Sequence, residues 1–130
     1  MAGEPILVVD DNPANLRLLR LLLAAESYEV RAAGDAGEAL GVLEEFRPRL
    51  ILLDLQMPGM DGFELARRLK GDAATRDIVI IALTAYAMKG DEERAREAGC
   101  DGYVSKPIDT RALPALIARH LEGVTGEASA

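Results

Sequence analysis

Apolar positions along the chain alternate between short continuous runs and longer stretches that repeat every three to four residues. Pro5-Ile6-Leu7-Val8-Val9 is the first run, rich in β-branched residues and stopped by Asp10-Asp11-Asn12-Pro13. A strand that is apolar on both faces suits a buried parallel sheet. From about 14 to 26 the pattern is helical, with Leu16, Leu19 and Leu23 on one stripe and Leu18 and Leu22 widening it. Pro13 can open that helix, because the N–H it lacks would have no partner there. Further strands are predicted over 28–32, 50–53, 78–83 and 101–104, and further helices over 35–46, 63–70 and 89–98. A last helix is expected from Thr110, with Leu113, Ile117 and Leu121 spaced four apart. Asp35 and Glu38 have the spacing of a capping box. Pro48 and Pro58-Gly59 are breaks, and Gly99 is expected to cap the fourth helix. Pro114 falls four residues after Thr110, where an intrahelical N–H is first needed, so the first turn there should be soft or shifted. No repeat or internal linker interrupts the pattern. The expected division is one domain over 1–122 and a flexible tail over 123–130.

Five strands separated by helices imply an α/β fold, a doubly wound parallel sheet covered on both faces with right-handed crossovers. Ligands of such sheets bind beyond the carboxyl ends of the strands, where the winding direction reverses. The residues at those ends are informative. Asp10-Asp11 follow the first strand, Asp54 ends the third, Thr84 ends the fourth, and Lys106-Pro107 follow the fifth. Each has an ordinary explanation when taken singly: acidic residues form turns and caps, threonine caps, and lysine is a solvated surface charge. Jointly they point to chemistry. Three converging carboxylates repel one another and call for a cation, and a hard divalent ion such as Mg²⁺ prefers oxygen ligands of this kind. A backbone carbonyl just past Asp54 could complete its shell. With Lys106 opposite and the Thr84 hydroxyl between, such a pocket suits a phosphoryl group, and Asp54 is the expected nucleophile.

Composition narrows the partners. The chain has 130 residues and a formal net charge of −7, which argues against a nucleic-acid face. The one cysteine, Cys100, rules out an internal disulfide and makes a cysteine-based zinc site implausible. No apolar run reaches the roughly 18 residues of a membrane span, so the expected location is cytoplasmic, with no membrane contact. Cys100 reads as a small buried hydrophobe, and His120 as an edge-of-core residue of the last helix.

The set Asp10-Asp11, Asp54, Met57-Pro58-Gly59-Met60-Asp61-Gly62, Thr84-Ala85 and Lys106-Pro107 resembles the response-regulator receiver domain of two-component signalling. The likeness spans Ile6 to Leu121, and the segment from Ala85 to Glu93 is most similar to single-domain DivK-type receivers and receivers of hybrid histidine kinases. The resemblance implies a flavodoxin-like strand order, 2-1-3-4-5. It implies that Asp54 is the phosphoacceptor, that Asp11 ligates Mg²⁺, that Asp10 holds a metal-bound water, and that Gln56 offers a backbone carbonyl. It gives Thr84 and Lys106 the phosphoryl oxygens, and makes Thr84 and Tyr103 a switch pair. From spacing alone Tyr103 reads rather as a fixed aromatic packed on Ile108 or the polar fourth helix, and it is the resemblance that turns the reading toward a switch. Gln56 and Tyr86 would flank the path of the hydrolytic water. The implied donor is a histidine kinase or a histidine phosphotransfer protein, docking on Asn12, Asn15, Leu18, Leu22 and Pro107.

The expected function is that of a single-domain response regulator, monomeric or weakly dimeric, which catalyses its own phosphorylation and dephosphorylation and switches a downstream protein. The alternatives are a phosphorelay shuttle and a phosphate-independent adaptor. A turnover phosphatase reading is poor, since Gln56 stands where such enzymes carry a second aspartate. No Gly-Lys-Ser/Thr phosphate loop supports a nucleotide-binding one.

Overall fold

The computed structural model describes residues 4–55, 62–84, 90–105 and 108–126. Five strands, β1 (Pro5–Val9), β2 (Glu29–Ala33), β3 (Leu50–Asp54), β4 (Val79–Thr84) and β5 (Gly102–Ser105), alternate with five helices. The helices are α1 (Pro13–Ala25), α2 (Ala36–Val42), α3 (Gly62–Lys70), α4 (Asp91–Glu97) and α5 (Ala112–Gly126). All strand pairs are parallel, in the order β2-β1-β3-β4-β5. The expected flavodoxin-like order is therefore the one observed.

Side-chain alternation along the central strands divides the core into two layers. Leu7, Val9, Ile51, Leu53, Ile80 and Ala82 pack toward α2, α3 and α4. Ile6, Val8, Leu50, Leu52, Ile81 and Leu83 pack toward α1 and α5. This is why these strands read as continuous apolar runs: both faces are covered. The edge strands β2 and β5 are only partly buried. No helix among the described residues is long and apolar enough to cross a membrane.

Local chemistry fixes the helix ends. Asn12 caps α1, its Oδ1 accepting from the Ala14 N–H at 2.9 Å, with Pro13 in the first turn. Asp35 caps α2 by accepting from the Glu38 N–H at 2.7 Å, while the Glu38 carboxylate accepts from the Gly34 N–H. The predicted 35–46 helix is shorter than expected. Beyond Val42 the Glu44 and Glu45 N–H groups bond to carbonyls three residues back, which tightens the chain into turns before Pro48. The α4 terminus behaves as expected at Gly99, whose φ is +100°. The Gly99 N–H reaches the Arg96 carbonyl and the Cys100 N–H the Ala95 carbonyl, closing a Schellman motif.

The start of α5 moves from Thr110 to Ala112. The Asp109 carboxylate caps the turn before it, accepting from the Arg111 and Ala112 N–H groups. The Leu113 N–H already bonds to the Asp109 carbonyl, so Pro114, which has no N–H to continue that i→i−4 ladder, interrupts it and softens the first turn, and the regular helix begins only at Ala112. At its other end the helix continues to Gly126, past Glu122.

Opposite the carboxyl ends of the strands, Lys70 ties α3 to the sheet. Its Nζ donates to the Ile78 carbonyl at 2.8 Å and to Asp101 Oδ2 at 2.9 Å, and Asp101 Oδ2 also accepts from the Ile80 N–H.

Candidate functional site

The winding direction reverses between β1 and β3: the chain leaves β1 for one edge through β2, then returns to fill the other side. A crevice opens at such a point beyond the strand ends. Val9 is level with Leu53 in the register, so Asp10 and Asp54 stand side by side at this crevice. Asp54 is in turn level with Leu83, which places Thr84 one residue further along the neighbouring strand.

Asp10, Asp11 and Asp54 each offer a carboxylate oxygen within 4.8 Å of the others. Asp10 and Asp54 are buried, Asp11 is exposed, and Thr84 is fully buried. Asp10 is held at both oxygens. Oδ1 accepts from the Asn12 N–H at 2.9 Å, and Oδ2 from Asn15 Nδ2 at 3.3 Å. The turn that caps α1 thus also orients an acid of the site. Two buried carboxylates beside a third carry strong mutual repulsion, and the donor set is hard oxygen. That set fits a small divalent cation.

Behind Asp54 the backbone is crowded. The Gly62 N–H donates to the Leu55 carbonyl at 3.2 Å, which brings the start of α3 against the end of β3. A Cβ on Gly62 would stand 2.5 Å from the Asp54 carbonyl oxygen and 2.6 Å from Leu55 Cα. Sequence reasoning gave Gly62 no role beyond membership of a motif. The signal was there, since a glycine just before a helix and after a Pro-Gly turn marks close backbone approach.

Tyr103 is half-buried and packs on the core layer of α3 and α4, beside a small pocket lined by Ala95, Arg96 and Cys100. Ile108 packs on the other layer, so Tyr103 adopts the packing against the fourth helix and not that against Ile108. Ala82 faces the same layer as Tyr103, and alternation along β4 puts Thr84 on that face too. The predicted switch pair therefore shares one side of the sheet.

On α1 the predicted docking residues divide. Leu18 is 41% exposed, whereas Leu22 is partly buried against the α1/α5 core layer. Asn12 and Asn15 are engaged with the helix cap and Asp10. Leu21, which the sequence reading passed over, is 67% exposed. Lys106, Pro107, Gln56 and Tyr86 lie outside the described residues. His120 is half-buried on α5, with its ring over Gly102 of β5, as an edge-of-core residue should be. Burial, assisted by neighbouring Asp101, raises the Cys100 thiol to a pKa of about 11.

Residues 6–118 match the response regulator receiver domain family. The polar-differentiation response regulator DivK of Brucella anthropi is 48% identical over 105 residues, 81% of this chain and 85% of that protein. A CheY-like receiver domain protein from Methanospirillum hungatei superposes with a TM-score of 0.89 at 32% identity, over 97% of this chain and 99% of that one. The receiver domain of a sensor histidine kinase from Pseudomonas aeruginosa superposes with a TM-score of 0.80 at 34% identity, over 96% and 99% of the two chains. That structure carries a magnesium ion coordinated in its active-site cleft. Matched along most of its length in sequence and in fold, the chain belongs to the response regulator receiver domain family.

Proposed function

We propose that the chain is a phosphorylation switch, taking a phosphoryl group onto Asp54 from a phosphohistidine of a kinase or phosphotransfer protein and changing its protein contacts as a result. The observation that carries this reading is the meeting of Asp10, Asp11 and Asp54 within 4.8 Å, with buried Thr84 on the next strand.

An Asp54 carboxylate oxygen attacks phosphorus, a new O–P bond forms, and the P–N bond of the donor breaks. The imidazole leaves with the electron pair and takes up a proton. The product is an acyl phosphate, which water later cleaves back to carboxylate and inorganic phosphate. Asp10 and Asp11, with Asp54 and the Gln56 carbonyl, would hold Mg²⁺, which when bound supplies positive charge for the phosphoryl oxygens. Asn12 and Asn15 keep Asp10 aimed at the site. The Thr84 hydroxyl and the Lys106 ammonium bind the remaining phosphoryl oxygens, where charge accumulates during transfer. Drawing Thr84 toward the phosphoryl group frees space on the face that Tyr103 shares. The phosphorylated chain then favours a conformer with Tyr103 turned inward, a population shift and not a new fold.

The histidine donor docks over Asn12, Asn15, Leu18, Leu22 and Pro107. A phosphorelay shuttle would show fast two-way exchange with a phosphotransfer domain. An adaptor would bind its target equally well without Asp54 phosphorylation.

Intact-mass analysis after incubation with acetyl phosphate and Mg²⁺ tests the chemistry. One added phosphoryl group is expected, lost in Asp54→Asn and with chelator. An adduct that persists in Asp54→Asn overturns the assignment of the acceptor.

A further inference from the structure

Helix α1 has two exposed flanks. At about 100° per residue, Leu18 and Leu22 fall on one side of the buried Leu19–Leu23 stripe, and Arg17, Arg20, Leu21 and Ala24 on the other. The first flank is the proposed histidine-donor surface. The second faces the edge strand β2 and forms with it a groove of about 530 Å³, lined by Arg17, Arg20, Leu21, Ala24, Val30 and Ala32 among others. Leu21, at 67%, is the most exposed large apolar side chain among the described residues.

The backbone at this groove is open. β2 ends the sheet and pairs only with β1. The Glu29 N–H donates to the Glu4 carbonyl, and the Ala33 carbonyl accepts from the Asp10 N–H. Glu29, Arg31 and Ala33 therefore turn their peptide groups toward β1, and Val30 and Ala32 turn theirs outward. Among the described residues nothing bonds to those outward groups. The same two residues point their side chains toward α1 and line the groove. A strand laid beside β2 would satisfy the outward groups and send every second side chain under the α1 flank.

Charge selects the occupant. The charged residues lining the groove are Arg17 and Arg20, in a chain of net charge −7. Neither makes an ion pair among the described residues. Glu29 lies on the opposite sheet face with Arg31, whose guanidinium covers the Phe46 ring at 4.9 Å. A second copy paired edge to edge would set two such arginine pairs against each other.

We propose that the groove between α1 and the open edge of β2 binds an extended segment of a partner protein that alternates apolar and acidic residues and adds as a further strand beside β2. Main-chain bonds to Val30 and Ala32 supply the docking geometry. Leu21 and Ala24 receive the apolar side chains, and Arg17 and Arg20 meet the carboxylates. This surface is separate from the phosphoryl site, so the proposal stands or falls independently of phosphorylation.

The test is selection of the intact protein against a library of random nonapeptides, followed by NMR titration with the recovered peptide. Expected are sequences alternating apolar residues with Asp or Glu. They should shift the Val30 and Ala32 amides and slow their hydrogen exchange. Reversal of charge in Arg17→Glu/Arg20→Glu should weaken binding by about tenfold or more, while Arg68→Glu, exposed on α3 across the sheet, leaves it unchanged. Unchanged melting of the double variant would show that the loss is not unfolding. Four results overturn the proposal: no enrichment, enrichment of basic or helix-periodic sequences, binding insensitive to the arginine reversal, or unshifted Val30 and Ala32 amides. Self-association of the protein through β2, seen as a concentration-dependent dimer, would also overturn it by assigning the edge to a second copy.

Discussion

At the scale of single residues, the site depends on atoms that are absent as much as on those present. Gly62 has no Cβ, and one added there would press on the Asp54 carbonyl oxygen and on Leu55 Cα. Neither is the movable end of a flexible side chain. Gly62→Ala should therefore cost about 1–3 kcal/mol in urea unfolding, and slow acetyl-phosphate labelling of Asp54 by displacing it. Labelling at the wild-type rate would separate the glycine from the site. Cys100 gives a second, chemical readout. Its pKa is raised from 9.0 to about 11, so at neutral pH the reactive thiolate is rarer by about 100-fold than in a model thiol. Alkylation of the folded protein should be slow, and should accelerate as pH climbs toward 11. The carboxylates of the site were legible in the sequence because each directly follows or ends an apolar run. The Gly62 contact was not, since it depends on the start of α3 returning to the end of β3.

At the scale of elements, the same helix-ending motif is built twice with different residues. After α4, Gly99 takes the left-handed conformation at φ +100°. It does so under Lys70, whose Cγ would stand 2.6 Å from an added Cβ. After α1, Ser27 takes that conformation at φ 71° while its N–H reaches the Ala24 carbonyl and the Tyr28 N–H reaches the Leu23 carbonyl. A left-handed residue with a side chain costs about 1–2 kcal/mol, and Ser27 is exposed with no packing to lose. Ser27→Gly should raise stability by about 0.5–1 kcal/mol, read as a higher urea midpoint at unchanged slope. A lower midpoint would show that the serine supports the turn. Sequence periodicity located every helix and strand, with ends shifted by a residue or two in most. The larger shift in α2 came from a gradual tightening of the chain, which no single residue announces. The sequence did mark the α5 anomaly: Pro114 predicted a soft or shifted first turn, and the regular helix begins only at Ala112, after a turn capped by Asp109.

At the scale of the whole molecule, the fold gathers negative charge where its winding reverses. Asp10, Asp11 and Asp54 come from two strands whose ends meet only because β1 and β3 are neighbours. Without a cation this repulsion opposes folding. Asp54→Asn should thus melt at a higher temperature than wild type in chelator, by the equivalent of about 1 kcal/mol. Wild type should gain about 1.4 kcal/mol from Mg²⁺ at ten times its dissociation constant, and the variant less. Equal gains in the two proteins would remove Asp54 from the cation site.

The order of elements, the doubly wound class and the acids at the strand ends were determined by the sequence alone. They rest on local properties: apolar periodicity, turn chemistry and the position of polar residues after apolar runs. The family likeness was legible from the same residues. Tertiary structure alone decided which surfaces remain open. Helical periodicity made Leu18 and Leu22 look alike as flank residues and gave Leu21 no role, yet Leu22 packs on the core while Leu18 and Leu21 face outward. It also decided that Tyr103 packs on the face shared with Thr84 and not with Ile108. Exposure depends on what a neighbouring element covers. That follows from the crossover of the chain around the sheet, which no local window of sequence contains.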